Sequence, residues 1–241
     1  MILLLPTLIF VILFLVLTIP VVLYERQHRK KDELRSDMHS LRLVQWGFKM
    51  VALLSGMRLT VKGQENIPKD EAVLYVANHI SIFDIVATYP LMPNRTGFVA
   101  KDVIAKIPLL SSWMKHIHCL FLDRKNRRAG LQMVLDSIDM INNGISVFIF
   151  PEGTRSKNGT MGEFKAGSVK MASKTGCAII PVAITGTRAC LEGRKFFRFR
   201  HPVTVTFGEP IYPKNLEAEQ QKFLAAYVQK KVEEMLQGEN R

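Results

Sequence analysis

The sequence predicts an α/β protein: a central, mostly buried mixed sheet flanked by helices, with an N-terminal helical membrane anchor. Three observations carry that reading. The runs AVLYVA, ISVFIF and AIIPVAI are apolar throughout rather than at alternate positions, as in strands covered on both faces. Stretches with helical spacing lie between such runs, the pattern of a sheet sandwiched by helices. And residues 1–23, MILLLPTLIFVILFLVLTIPVVL, carry no charged side chain.

The amino end comes first. At ~1.5 Å per helical residue the uncharged segment reaches ~35 Å, enough for a hydrocarbon core of ~30 Å. It lacks the basic start and small-residue cleavage site of a secretory leader. Pro6 and Pro20 permit a kink, which leaves a re-entrant or interfacial anchor open beside a spanning one. In ERQHRKK, residues 25–31, five of seven side chains are basic if His28 is counted. Basic residues beside an apolar segment mark the cytoplasmic side, so the chain is expected on the cytoplasmic face of the cell membrane. RQHRKKDELR reads as a solvated linker or helix surface. MHSLRLVQWGFKMVALLSGM, residues 38–57, has a broad apolar helical face, where Trp46 and Phe48 suit either a membrane interface or packing on the domain. Residues 1–57 are therefore anchor, basic linker and amphipathic interfacial helix, and 58–241 are the globular domain. In that domain the strands are RLTVKG, AVLYVAN, GFVA, HCLFLD, ISVFIF, AIIPVAIT and VTVTFG. The helices are SIFDIVATYP, DVIAKIPLLSSWMKH, RRAGLQMVLDSIDMINN, FKAGSVKMASKT and a long amphipathic terminal one, NLEAEQQKFLAAYVQKKVEEMLQ.

Composition narrows the function. With 241 residues, 48% of them hydrophobic, the chain can build a sizeable core and is not a disordered type. A formal net charge of +12 calls for an anionic partner: nucleic acid, an anionic membrane, or an acidic protein or substrate. Cys119, Cys177 and Cys190 are odd in number and widely spaced, against a disulfide framework or zinc, and read as small buried apolar residues. His116 and His118 have a metal-like spacing but no evident third ligand, so they read as ordinary histidines. The chain contains no G-x-x-x-x-G-K-[ST] loop, no G-x-G-x-x-G turn and no G-x-S-x-G elbow.

Two segments carry chemistry. NHISIFD, residues 78–84, comes after the AVLYVA strand, and ligands of α/β sheets gather at the carboxyl ends of strands. Ser81 and Asp84 fit a capping box, which explains those two residues but neither Asn78 nor His79. On a continuous helix, residues five apart point about 140° from one another. With His79 in the preceding turn, its imidazole can fold back onto Asp84, which would fix the tautomer and leave the second nitrogen as a base. With no activated serine or cysteine in sight, such a base would act directly on a substrate hydroxyl. A catalytic pair and a cap beside a core histidine both fit this segment alone. The second segment, PEGTRSKNG, residues 151–159, leaves ISVFIF at the same edge and brings Glu152, Gly153, Thr154 and Arg155. The Arg155 fork suits a phosphate. A polar turn is the plain alternative.

Together, NHISIFD and FPEGTRS resemble the first and third signature blocks of the glycerolipid acyltransferases, typified by bacterial 1-acyl-sn-glycerol-3-phosphate acyltransferases. GFVAKDVIAKIPLLSSWM with FLDR resembles the second block and IIPVAITG the fourth, so the likeness covers roughly residues 58–210. GEFKAGSVKMASKTG is similar to the segment that succeeds the third block in that family. One departure is His118, where many members carry glycine. The resemblance implies an O-acyltransferase that passes an acyl chain from acyl-CoA or acyl-acyl carrier protein to the sn-2 hydroxyl of 1-acyl-sn-glycerol-3-phosphate (lysophosphatidic acid). The product is phosphatidic acid for phospholipid synthesis. His79 would be the base and Asp84 its partner. Arg155 would hold the acceptor phosphate, with Lys101 and Arg124 as helpers. Glu152 would organise the turn, and amides around Gly153 and Thr154 would face an oxyanion. No metal or dissociable cofactor is implied. The same blocks would fit another lyso-lipid acceptor, or a membrane phospholipid-binding protein that kept the fold without turnover. RACLEGRKFFRFRHP, residues 188–202, is a basic-aromatic stretch suited to anionic headgroups or an acidic carrier protein. No motif supports nucleic-acid binding.

Overall fold

The computed structural model describes residues 4–29, 32–156, 159–191 and 200–239. Three helices come first, α1 (Leu4–Leu17), α2 (Ile19–His28) and α3 (Glu33–Leu54). Next are β1 (Met57–Lys62), β2 (Leu74–Ala77), α4 (Phe83–Thr88), β3 (Thr96–Lys101), α5 (Pro108–His116), β4 (Leu120–Leu122), α6 (Arg127–Asn142) and β5 (Ser146–Ile149). The chain continues through α7 (Lys170–Thr175), β6 (Ile179–Thr185), α8 (Arg188–Leu191), β7 (His201–Phe207), α9 (Ala218–Lys222) and α10 (Leu224–Glu239). Every strand read from the sequence forms, and together they make one seven-stranded sheet in the order β1-β7-β6-β2-β5-β3-β4. From β6 to β4 all neighbours are parallel; β7 runs antiparallel to β6 and parallel to β1.

The unbroken apolar runs are explained by two cores, one on each face of the sheet. In β2, Tyr75 and Ala77 enter one core while Leu74 and Val76 enter the other. The first core is closed by α2, α3, α4 and α5 through residues such as Val22, Leu41, Val44, Val86 and Trp113. The second is closed by α6, α7 and α10 through Met133, Met171, Val228 and Val232. Outlying β1, by contrast, alternates between half-buried and exposed positions, as expected where one face meets solvent.

Several helices differ from the sequence reading. Residues 102–116 divide into a 3-10 turn (Asp102–Lys106) and α5, because Pro108 cannot continue a helix from the turn before it but suits a first helical turn. The terminal helix breaks at Phe223; α9 buries nothing, whereas α10 lays Leu224, Ala225, Val228 and Val232 on the second core. In the run at 26–35 the described side chains are exposed or half-buried, as the sequence predicts, and burial begins just after it. Asp32 caps α3 by accepting the Arg35 N–H at 3.0 Å, and the next turn buries Ser36 and Asp37. The Asp37 carboxylate meets Arg29 at 2.9 Å, His118 Nε2 at 2.7 Å and Arg95 at 3.4 Å. A buried carboxylate needs such partners, which is why Arg29 turns inward from the solvated run before α3.

No single helix among the described residues is long and apolar enough to cross a membrane. The pair Leu5–Leu17 and Ile19–Glu25 passes that test jointly, bent by 40°. The bend falls at Thr18, whose hydroxyl donates to Phe14 O at 2.6 Å and accepts the Trp113 indole N–H at 2.9 Å, just before Pro20. Phe10 and Phe14 pack on Trp46, and Phe14 also on Trp113, so the apolar amino end leans on the domain. Its outer side chains, Leu5, Leu8, Ile12, Leu13 and Leu17, stay exposed. Helices α1 to α3 thus share the domain's first core while offering apolar surface outward. Cys119, Cys177 and Cys190 are free and buried, and burial pushes the Cys119 thiol up to about 12.

Candidate active site

The parallel strands bring the sequence-selected residues to one edge. β6, β2, β5, β3 and β4 all end there, and the segments that leave them carry, in that order, Thr187, Asn78 with His79, Glu152 to Arg155, Lys101, and Arg124. The register pairs Val76 with Ile149 and Phe98 with Phe148, which sets Lys101 level with Asn78. At ~4.8 Å per strand, the Lys101 backbone lies about 10 Å from the β2 end and the strand bearing Arg124 about 14 Å.

Asn78 has a backbone-like task. Its side-chain amide donates to Ile184 O at 2.9 Å while its Oδ1 accepts the Ile184 N–H at 2.8 Å. It thereby continues the β2–β6 ladder one step beyond Ala77–Val182. This is what the asparagine beside His79 is for.

His79 and Asp84 meet. The His79 Nδ1–H donates to Asp84 Oδ2 at 2.8 Å, and the aspartate is fully buried. The same oxygen accepts the N–H groups of Ile80 at 2.8 Å and Ser81 at 2.9 Å, while Ser81 Oγ accepts the Phe83 N–H at 3.2 Å. The N-cap of α4 is Ile82, without a side-chain cap, so the expected capping box does not form as such; the Asp84 carboxylate instead closes the turn before the helix and holds the imidazole as well. Nδ1 is assigned as the protonated nitrogen because its partner is a carboxylate. Nε2 makes no hydrogen bond among the described residues, and the ring stacks on Phe150 with centroids 4.1 Å apart. A tautomer fixed on one side with a vacant acceptor on the other is what a general base needs.

The loop after β5 is fastened to His79. Glu152 Oε1 accepts the His79 N–H at 2.6 Å and Oε2 accepts the Gly162 N–H at 2.8 Å. The Ser156 N–H donates to His79 O at 2.8 Å, which sets exposed Arg155 next to the base. Burial raises the Glu152 pKa above its ordinary value, with the Gly162 and His79 amides acting against that shift. Gly153 has φ +74°, and a Cβ there would come within 2.7 Å of Lys165 Nζ. Its N–H donates to Phe150 O at 3.0 Å, so that amide is committed to the turn rather than to an oxyanion. The Thr154 N–H makes no hydrogen bond among the described residues. Lys101 ends β3 and is exposed. Arg124 is exposed beyond β4; partial burial lowers its pKa and nearby Asp102 opposes that.

Two residues escaped the sequence reading. Thr187 stands directly after IIPVAITG, is fully buried and donates its hydroxyl to Asp84 Oδ1. Only its place after a strand-ending glycine hinted at a site. Lys165 lies in GEFKAG and runs its side chain over Gly153. His118, which stands where many family members carry glycine, is the one non-glycine residue with positive φ among those described, at +59°. Its bond to Asp37 offsets a backbone position that glycine would fill more easily. Of the basic-aromatic stretch at 188–202, residues 192–199 lie outside the described residues.

Comparison with known proteins shows what the chain is similar to. The family model described as Acyltransferase matches residues 58–185. A probable 1-acyl-sn-glycerol-3-phosphate acyltransferase of Mycoplasma pneumoniae is 33% identical over 182 residues, covering 70% of this chain and 68% of that protein. A 1-acyl-sn-glycerol-3-phosphate acyltransferase of Borreliella burgdorferi is 34% identical over 134 residues, 56% of this chain and 54% of that one. The chloroplastic LPAT1 of Arabidopsis thaliana, of the same printed activity, is 31% identical over 74% of this chain and 48% of its own length. The chain thus spans about half the length of the latter two relatives. The crystal structure of the 1-acyl-sn-glycerophosphate (LPA) acyltransferase PlsC from Thermotoga maritima superposes with a TM-score of 0.78 at 27% identity, covering 98% of this chain and 96% of that one.

Proposed function

The chain belongs to the acyltransferase family, and on that premise we propose that it acylates the sn-2 hydroxyl of 1-acyl-sn-glycerol-3-phosphate, using acyl-CoA or acyl-acyl carrier protein as co-substrate and giving phosphatidic acid for phospholipid synthesis. The observation that carries the reading is His79, held through Nδ1 by Asp84 with Nε2 vacant, beside the loop bearing Arg155. The relatives' names support the acceptor.

The geometry suggests the order of steps. His79 Nε2 takes the hydroxyl proton as the oxygen bonds to the thioester carbonyl carbon. The C–S bond then breaks, and the thiolate leaves with the proton held by the imidazolium. Asp84 steadies that cation while it exists. A placed base contributes typically ~10²–10⁴-fold. Arg155 is assigned to the acceptor phosphate, with Lys101 level with Asn78 and Arg124 a strand further out. Thr154 is the amide of this loop assigned to the oxyanion. No metal or resident cofactor enters these steps.

The membrane reading rests on exposed apolar surface. Leu5, Leu8, Ile12 and Leu13 of α1, with Trp46 of α3, face outward, and Ile82, Val103 and Ile107 are exposed beside His79 and Lys101. An apolar rim next to a lipid-handling edge suits a seat at the bilayer interface, and the basic residues after α2 favour its cytoplasmic side.

Acyl transfer to lysophosphatidic acid, lysophosphatidylcholine and lysophosphatidylethanolamine, run with wild type, His79→Ala and Arg155→Ala, tests the proposal. Preference for lysophosphatidic acid, abolished with His79 and weakened with Arg155, is expected. Preference for another acceptor that still needs His79 would keep the chemistry and replace the substrate. No transfer to any acceptor would leave a phospholipid-binding protein.

A further inference from the structure

The Asp84 carboxylate is fully buried and its two oxygens have different surroundings. Oδ2 accepts three donors: His79 Nδ1–H and the N–H groups of Ile80 and Ser81. Oδ1 accepts the Thr187 hydroxyl. The three donors on Oδ2 come from the chain immediately before α4. Thr187 comes from a segment distant in sequence, just beyond the neighbouring strand β6.

Its position is fixed from several sides. Gly186, with φ +82°, turns the chain where a Cβ would meet Pro202 O at 2.1 Å, so β6 leaves the sheet tightly against β7. The Thr187 carbonyl then accepts the Cys190 N–H at 3.0 Å, which anchors the residue at the start of α8. Two residues before Gly186, Ile184 takes both hydrogen bonds of Asn78. The segment 184–187 thus grips the 78–84 segment twice, once through Asn78 and once through Asp84.

We infer that Thr187 is a positioning residue for the His79–Asp84 pair, resting on the proposed acyl-transfer function. A carboxylate bonded only through Oδ2 can swing about its Cβ–Cγ bond. A donor on Oδ1 holds its plane so that Oδ2 stays on Nδ1. A donor that cannot become cationic also leaves the full negative charge facing the imidazole when it takes a proton. Stripping a donor from a buried carboxylate oxygen is costly, so the loss would be taken up by rotation of the carboxylate away from His79. The strand IIPVAIT and the turn after it then have a chemical task as well as a packing one.

The test compares Thr187→Val, which keeps the shape and removes the hydroxyl, with Thr187→Ser, which keeps the hydroxyl. Thr187→Val is expected to lower kcat about 10-fold or more with little change in the acceptor KM, and Thr187→Ser to restore most of it. An unaltered kcat in Thr187→Val, or a Thr187→Ser protein as slow as the valine variant, would overturn the inference. Thermal melts check that both variants fold. If wild type turns over no acceptor, the functional reading fails, and the low-field proton resonance of His79 Nδ1 decides this one. It is expected in wild type and Thr187→Ser and lost in Thr187→Val; its survival in the valine variant would overturn it.

Discussion

Two buried aspartates in this chain each hold a histidine, and their remaining partners differ in charge. Asp84 at the carboxyl edge bonds His79 at 2.8 Å; Asp37 on α3 bonds His118 at 2.7 Å. Around Asp37 stand fixed cations, Arg29 at 2.9 Å and Arg95 at 3.4 Å. Around Asp84, among the described residues, the other donors are neutral: the amides of Ile80 and Ser81 and the Thr187 hydroxyl. A carboxylate already matched by arginines is a clamp, here between the amino-terminal helices and the start of β4. On the proposed mechanism, a carboxylate whose other donors are neutral faces the imidazole that takes the hydroxyl proton with no fixed cation beside it. Histidine beside aspartate is therefore no signature by itself; the charge of the remaining partners decides its role.

The largest expected contrast is in catalysis. His79→Gln should lower acyl transfer by ~10³-fold or more with an unchanged melt, whereas His118→Gln should leave kcat within about 2-fold. Equal losses of kcat in both would erase the distinction. Next comes stability: Asp37→Asn leaves Arg29 and Arg95 facing a neutral amide, and should cost ~3 kcal/mol or more, seen as a lowered Tm. Thr187→Val, which strips one donor from Asp84 and leaves the others in place, should lower Tm by less than Asp37→Asn.

Acidity gives a finer test. Burial raises the Asp37 pKa, but the His118 hydrogen bond and the charges of His118 and Arg29 outweigh it, so the carboxyl titrates below its ordinary value. Its contribution to stability is then complete above the unfolded value near ~3.9 and is lost as pH falls through the lower folded value. Protection factors of the amides in the first turns of α3 should hold at pH 5 and fall below about pH 4, and Asp37→Asn should remove the step. The smallest effect concerns His118→Gly. Glycine relieves a left-handed backbone worth ~1–2 kcal/mol, but the lost bond to a buried charge is worth ~1.5–3 kcal/mol. A net loss of ~1 kcal/mol is expected by denaturant titration, and a gain would show that His118 is not a clamp.

By itself, the sequence determined a good deal of this protein. Unbroken apolar runs marked the buried strands, because both faces of a sheet between helices exclude water. His79, Asp84 and Arg155 were legible because parallel strands deliver their succeeding residues to one edge whatever the details of packing. The relation between residues far apart in the chain was decided only by the tertiary structure. Thr187 reaches Asp84 because β6 lies beside β2, a neighbour relation that no local pattern encodes. Likewise, Asp37 is buried on α3 because its partners Arg95 and His118 come from distant segments, whereas the described residues of RQHRKKDELR just before it stay exposed or half-buried, as their charge predicts. The set of donors that Asp84 accepts was decided in the same way. One carboxylate has room for several donors, and only the folded chain shows how many arrive.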